Sequence, residues 1–189
     1  MYEILIETAS DRERSSVFQQ TGPNDWGSFP ESSVPVSPVL ALVGFVGLCL
    51  LVGAVGGTMT EHAVRHWYLT LATPPGTPPR WIFAPVWAAV YVMIGTAGWL
   101  VWRRNGSRQK LRLWGWQLAA NALWAPAFFG LHSPALALGI MVVMLILTGL
   151  TVRAFRPINR VAAGLMVPYG MWSLYAGYLN VGFLVLNQT

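Results

Sequence analysis

Trp114, Gln117, Asn121, Trp124 and Phe128 are separated by three, four, three and four residues. That spacing places all five on one face of a helix. Amides on such a face bond either to a neighbouring helix, for about 0.6–2 kcal/mol in lipid, or to a ligand, and indoles stack on flat apolar molecules. Two further stripes repeat the arrangement: Trp87, Tyr91, Gly98 and Trp102, then Tyr169, Trp172, Ala176, Leu179 and Phe183. Three helices presenting Trp to a shared interior would wall an aromatic pocket for a flat, conjugated or polycyclic ligand. Trp87, Tyr91, Gln117, Asn121, Trp124, Trp172 and Ala176 are the candidates for that lining. Spacing alone does not make the stripes face one another.

Other chemistries lack their groups. His62 and His66 stand one helical turn apart, but a metal would need a third ligand from Glu61, Cys49 or His132. Histidines at a membrane interface without a metal are the ordinary case, so no metal site is expected. Ser173 has no His or carboxylate in its own segment, which argues against hydrolysis. The long apolar runs contain no Asp, Glu, Lys, Arg or His, so proton relays and general acid–base catalysis have nothing to work with. Redox or photochemistry at an indole needs only a sensitising ligand beside it, and that leaves enzymatic activity open.

The elements that must hold these side chains are legible from where charge is absent. Val39–Gly57, Trp81–Trp102, Leu113–Leu131, Ala135–Val152 and Val161–Leu186 carry no charged residue and run 18 to 26 residues each. A bilayer core takes about 20 residues of helix, and backbone groups in lipid must be satisfied within the segment. The short alternating segments of an outer-membrane barrel are missing. The expected fold is therefore all-α, an integral membrane bundle of five transmembrane helices with a long, Pro-rich first loop. Composition agrees: 54% hydrophobic and 10% charged residues exclude both an ordinary soluble domain, about a quarter charged, and a disordered chain. The lone Cys49 excludes a disulfide scaffold. Five being odd, inverted halves of the kind that build transporters are not expected.

Arg12 and Arg14, then Arg103, Arg104, Arg108, Lys110 and Arg112, then Arg153, Arg156 and Arg160 fall on one side of such a bundle; only Arg65 and Arg80 fall on the other. The positive-inside rule puts the N-terminus and the second and fourth loops on the cytoplasmic-type side, as in a bacterial inner membrane. The basic residues flank apolar runs and do not interleave with aromatics on a soluble face, so the net charge of +5 does not predict nucleic-acid binding.

Residues 1–37 hold six acids, several Ser and three Pro, and read as a disordered acidic tail before a membrane domain over 38–189. No cleavable signal is expected, because the first apolar run starts late and is long enough to span. In the connection Thr58–Arg80, Glu61–Leu71 is expected to form a short helix capped by Thr60. Pro74, Pro75, Pro78 and Pro79 should then hold the chain extended. Trp67 and Tyr68 belong either to an interfacial aromatic belt or to a lid over a cavity mouth. Gly53 and Gly57, with Gly44 and Gly47, allow close packing inside the bundle or in a homodimer.

Three blocks of residues then resemble a known family. They are Trp67-Tyr68 with Thr77-Pro78-Pro79 and WIFAPVWAAVYVMIGTAGWLVW (Trp81–Trp102), GWQLAANALWAPAFFGLH (Gly115–His132), and VPYGMWSLYAGYLNVGFLVLN (Val167–Asn187). In order and spacing the chain is similar to the TspO/translocator-protein family of tryptophan-rich sensory proteins over most of residues 53–187. The resemblance implies a five-helix bundle, commonly a homodimer, that binds porphyrins (protoporphyrin IX, haem) and drug-like aromatic ligands as a sensor or carrier, with no obligatory cofactor; sterols or isoprenoids are implied for parts of the family. It implies ligand contacts at Trp67, Tyr68, Trp87, Asn121, Trp124 and Trp172. It also implies the alternative of light-dependent porphyrin breakdown, in which Trp87 and Trp172 would take part. Thr73-Pro74-Pro75-Gly76 stands where the family often has Lys-Pro-x-Trp, which removes one aromatic lid contact. Phe83-Ala84-Pro85-Val86-Trp87 replaces FGPVW. No basic residue follows Tyr169, Tyr175 or Tyr178 in the last helix, so cholesterol recognition is not expected.

Overall fold

The computed structural model describes residues 37–104, 106 and 108–187. All of the tail but Ser37 lies outside the described residues. Five long helices follow in order: α1 Pro38–His66, α2 Arg80–Arg103, α3 Arg108–Ala125, α4 Pro134–Phe155 and α5 Arg160–Leu186. No strand occurs among the described residues, as expected for an all-α membrane bundle. By length and composition α1, α2 and α4 are apolar enough to cross a membrane. In α3 and α5 the inward Gln, Asn, Tyr, Ser and Gly residues dilute the apolar content, although each keeps a long charge-free stretch.

Local signals explain the helix starts. Pro38 and Pro134 occupy first-turn positions, where a missing N–H costs nothing. Ser133 Oγ accepts from Leu136 N at 3.3 Å. Asn159 Oδ1 accepts from Val161 N at 2.9 Å and Ala162 N at 3.2 Å. Caps of this kind contribute about 1 kcal/mol each.

The helices close into a ring: α1 packs on α2, α2 on α5, α5 on α4, α4 on α3, and α3 returns to α1. Tyr169, Ile94, Met141, Met144 and Met166 are completely buried at its centre. The outward faces carry exposed Leu, Val and Met on every long helix (Val43, Val92, Leu123, Val143, Met171 among them), a surface that a bilayer solvates and water does not. One approach is decided by a single residue. A Cβ on Gly95 would lie 2.6 Å from Val46 Cα and 2.9 Å from Phe45 O, so α2 reaches the backbone of α1 only because position 95 is Gly. Of the small residues on α1, Gly53 lies against the Tyr91 ring, while Gly44, Gly47 and Gly57 have nothing near a Cβ position.

The first loop differs from expectation. Thr60 caps no helix: α1 runs unbroken to His66, and Thr60 Oγ1 donates back to Gly56 O at 2.8 Å. Continuing α1 satisfies more backbone than restarting it would. A one-turn 3-10 helix, Tyr68–Thr70, follows. The prolines do not hold a uniformly extended strand. Thr77 N donates to Pro74 O at 3.3 Å and Gly76 has φ +81°, a turn with Pro75 and Gly76 at its centre, where a positive φ suits Gly.

Candidate functional site

A cavity of about 580 Å³ opens between α1, α2 and α3 at the first-loop end of the bundle. Gly53, Ala54, Gly56 and Gly57 form its α1 wall, Phe83, Trp87 and Tyr91 its α2 wall, and Asn121 and Trp124 its α3 wall. Tyr68, Phe129, Thr60, Glu61 and Arg80 also belong to the lining. Small residues on α1 leave the space that the aromatic rings of α2 and α3 border. Phe129 reaches it because α3 ends in a π-helical turn, Pro126–Gly130, a distortion that re-aims side chains.

The rings form two groups, one on each side of the cavity. Trp87 stacks on Tyr91 with centroids 5.5 Å apart and 29° between planes. Trp124 meets Phe129 edge-on at 5.9 Å and stacks on Phe128 at 5.4 Å. Its Nε1 donates to Asn180 Oδ1 at 3.2 Å, which ties the α3 wall to α5. Tyr91 OH donates to Asn121 Oδ1 at 2.6 Å. Asn121 Nδ2 donates in turn to Tyr169 OH at 3.3 Å and contacts Met144 Sδ at 3.5 Å. The Asn121 side chain thus joins α2, α4 and α5 while bordering the cavity, so packing and lining coincide at this residue.

The charged groups sit at the mouth. Glu61 pairs with Arg65 one turn on. Arg80 belongs to the lining and lies close enough to Tyr68 to act on its phenol. Burial pushes the Tyr68 hydroxyl above its ordinary range, and the Arg80 charge opposes the rise. Tyr68 therefore remains a neutral donor at physiological pH, beside a cation. The wall can stack, disperse and donate hydrogen bonds; it holds no nucleophile with a base beside it.

Of the sequence candidates, Tyr68, Trp87, Tyr91, Asn121 and Trp124 meet at this cavity. The other four lie elsewhere. Trp67 packs on Phe128 at 5.9 Å and on the His132 ring at 4.4 Å. Trp172 stands behind Trp87, edge-on at 6.5 Å, and borders a shallow groove on the outer face of α2 and α5. Ala176 is buried in the core. Gln117 is completely buried, and among the described residues neither of its amide atoms has a hydrogen-bond partner, a condition shared by Trp172 Nε1. Helical spacing put Gln117 and Ala176 on inward faces, where both are buried, but could not say at which depth the ring of helices opens; Trp67 lay outside any stripe, and Trp172 stands at the edge of its own.

Arg80, Glu61, Phe83, Phe129 and the small α1 residues went unread as lining. The glycine spacing of α1 was a usable signal, since small residues opposite aromatic stripes make room as readily as they make contact. Phe129 was not recoverable, because the π turn shifts it off the α3 stripe. Among the described residues no three of His, Cys, Asp and Glu converge as metal ligands.

The sequence pattern of the TspO/MBR family matches residues 45–186. The tryptophan-rich protein TspO of Chlorobaculum tepidum is 39% identical over 153 residues, spanning 79% of this chain and 97% of its own. The translocator protein of Bos taurus is 37% identical over 160 residues, 80% of this chain and 92% of its own. The tryptophan-rich sensory protein of Cereibacter sphaeroides is 38% identical over 122 residues, 65% and 77% of the two chains.

Proposed function

This chain belongs to the TspO/MBR family of membrane proteins, and on that footing we propose that it binds tetrapyrroles (protoporphyrin IX, haem) and related flat hydrophobic ligands, as a sensor or carrier. The observation that carries the reading is the cavity of about 580 Å³ walled by Trp87, Tyr91, Trp124, Phe83 and Phe129. Its size falls in the range of small-molecule sites, and its mostly apolar wall with few polar groups is their usual make-up. A porphyrin ring would lie against Trp87 and Trp124, with Arg80 at the mouth placed to pair with a carboxylate. Tyr68 and Asn121 add polar contacts. Trp67 and Trp172 support the lining from behind, and no cofactor is required.

Within this proposal residues 38–189 form the binding domain and 1–37 a tail outside it. The arginine-bearing loops and the N-terminus face the cytoplasmic-type side, and the chain works as a homodimer. Titration with protoporphyrin IX, followed by quenching of Trp fluorescence, tests the reading. Saturable quenching that weakens in Trp87→Ala and Trp124→Ala is expected; absence of saturation refutes it.

A second reading, light-dependent porphyrin breakdown, is favoured by one contact. Trp172 stands edge-on to Trp87 at 6.5 Å, so an electron taken from Trp87 by an excited ring could be replaced from Trp172. Illumination of the saturated complex separates the two. Loss of the porphyrin band that needs the protein and disappears in Trp87→Phe supports breakdown, whereas a stable band leaves binding alone.

A further inference from the structure

At the end opposite the cavity, the last turn of α2, the last turn of α4 and the α4–α5 turn enclose an open recess of about 700 Å³. Arg104, Arg153, Arg156 and Arg160 line it, together with Pro157, Ile158, Asn159 and Val161. All four guanidinium side chains are exposed. Among the described residues the only acid is Glu61, which pairs with Arg65 at the far end of α1. Arg104 Nη1 donates to Ile158 O at 3.3 Å, which anchors the α2 side of the recess to the α4–α5 turn. Asn159 already satisfies two of the first amides of α5, so an anion here would be held by guanidinium groups. Four cations around one recess repel one another unless an anion lies among them.

We infer that this recess binds the phosphate head group of an anionic membrane lipid. Three observations favour a lipid over a soluble phosphate. The recess sits where charge-free helices end, at the depth of head groups. Apart from Asn159 its remaining wall is apolar (Pro157, Ile158 and Val161), with Val161 65% exposed. The same two helices, α2 and α5, also border the outer groove of Val86, Val90, Met93, Pro168 and Met171. Pro168 lies eight residues beyond Arg160, about 12 Å along the α5 axis. A lipid with its phosphodiester among the arginines therefore has an apolar track within reach of its acyl chains. The inference does not depend on the tetrapyrrole reading, whose cavity is at the other end.

Association of spin-labelled phosphatidylglycerol and phosphatidylcholine with the full chain in phosphatidylcholine nanodiscs tests it. Phosphatidylglycerol should be preferred, and Arg104→Gln, Arg156→Gln and Arg160→Gln should each lower that preference about fivefold, since one basic side chain near a membrane surface is worth roughly that factor. Arg108→Gln and Arg112→Gln, at the same end but outside the recess, should leave it unchanged. Ala89→Trp, which fills the groove without touching charge, should weaken retention of the lipid. The helical circular-dichroism spectrum and the protoporphyrin titration report whether each variant is folded. Equal losses in the recess and control variants would overturn the site in favour of diffuse surface charge. Displacement of the lipid by soluble glycerol phosphate would overturn the lipid assignment.

Discussion

Asn121 holds Tyr91 with its oxygen and Tyr169 with its nitrogen, and it borders the cavity as well. Replacing it with Leu strands two buried phenol groups at about 1–3 kcal/mol each. Asn121→Leu should therefore lower the midpoint of thermal unfolding in detergent more than Tyr91→Phe, which removes one hydrogen bond worth about 1 kcal/mol. The tryptophans separate by place and not by type. Trp87→Ala and Trp124→Ala each remove a stacking surface from the wall, and a contribution of about 0.5–1.5 kcal/mol per aromatic contact corresponds to roughly a two- to thirteenfold rise in the protoporphyrin Kd. Trp67→Phe keeps an aromatic ring against Phe128 and His132, outside the cavity, and should leave that Kd within about twofold.

The first loop is an element held by another element. Tyr175 OH donates to Gly76 O at 2.5 Å and Tyr178 OH to Pro75 O at 3.0 Å. Asn187 clasps Ala72 through both its amide atoms, at 2.9 and 3.1 Å. The stretch from Ala72 to Gly76 is thus strapped to α5, while Tyr68 alone of the loop aromatics borders the cavity. Tyr175→Phe/Tyr178→Phe removes two bonds of about 0.5–1.5 kcal/mol each; faster hydrogen exchange at the Ala72 and Thr77 amides is expected, with little change in Tm. The α1–α2 contact answers differently. Gly95→Ala places a methyl against backbone, which cannot rotate away, and overpacking of this kind costs about 1–3 kcal/mol. A lowered Tm should come with a changed cavity, since α1 supplies one of its walls.

On the scale of the whole molecule the two ends are chemically distinct: an aromatic cavity at one, a recess lined by four arginines at the other. A ligand that binds only the folded bundle raises its stability by about 2.7 kcal/mol at a hundred times its Kd. Saturating protoporphyrin should accordingly raise Tm in the parent chain, and by clearly less at the same concentration in Trp87→Ala. The membrane character follows from the outer faces, where Leu, Val and Met are exposed along all five helices.

Charge-free runs, helical stripes and the family's motifs were enough to establish from the sequence an all-α membrane bundle and a polar and aromatic stripe on α2, α3 and α5. Lipid makes both choices local: a span must satisfy its own backbone, and a polar or indole-bearing stripe must turn away from hydrocarbon. The depth of each inward residue was not local. Trp87 and Trp172 occupy matching stripes on α2 and α5, yet one lines the cavity and the other stands behind it. That difference arises from the order of helices around the ring, from small residues on α1 that leave space, and from the π turn that brings Phe129 inward. Each depends on contacts between distant segments, so only the tertiary structure decided where the cavity lies and which residues share the arginine recess.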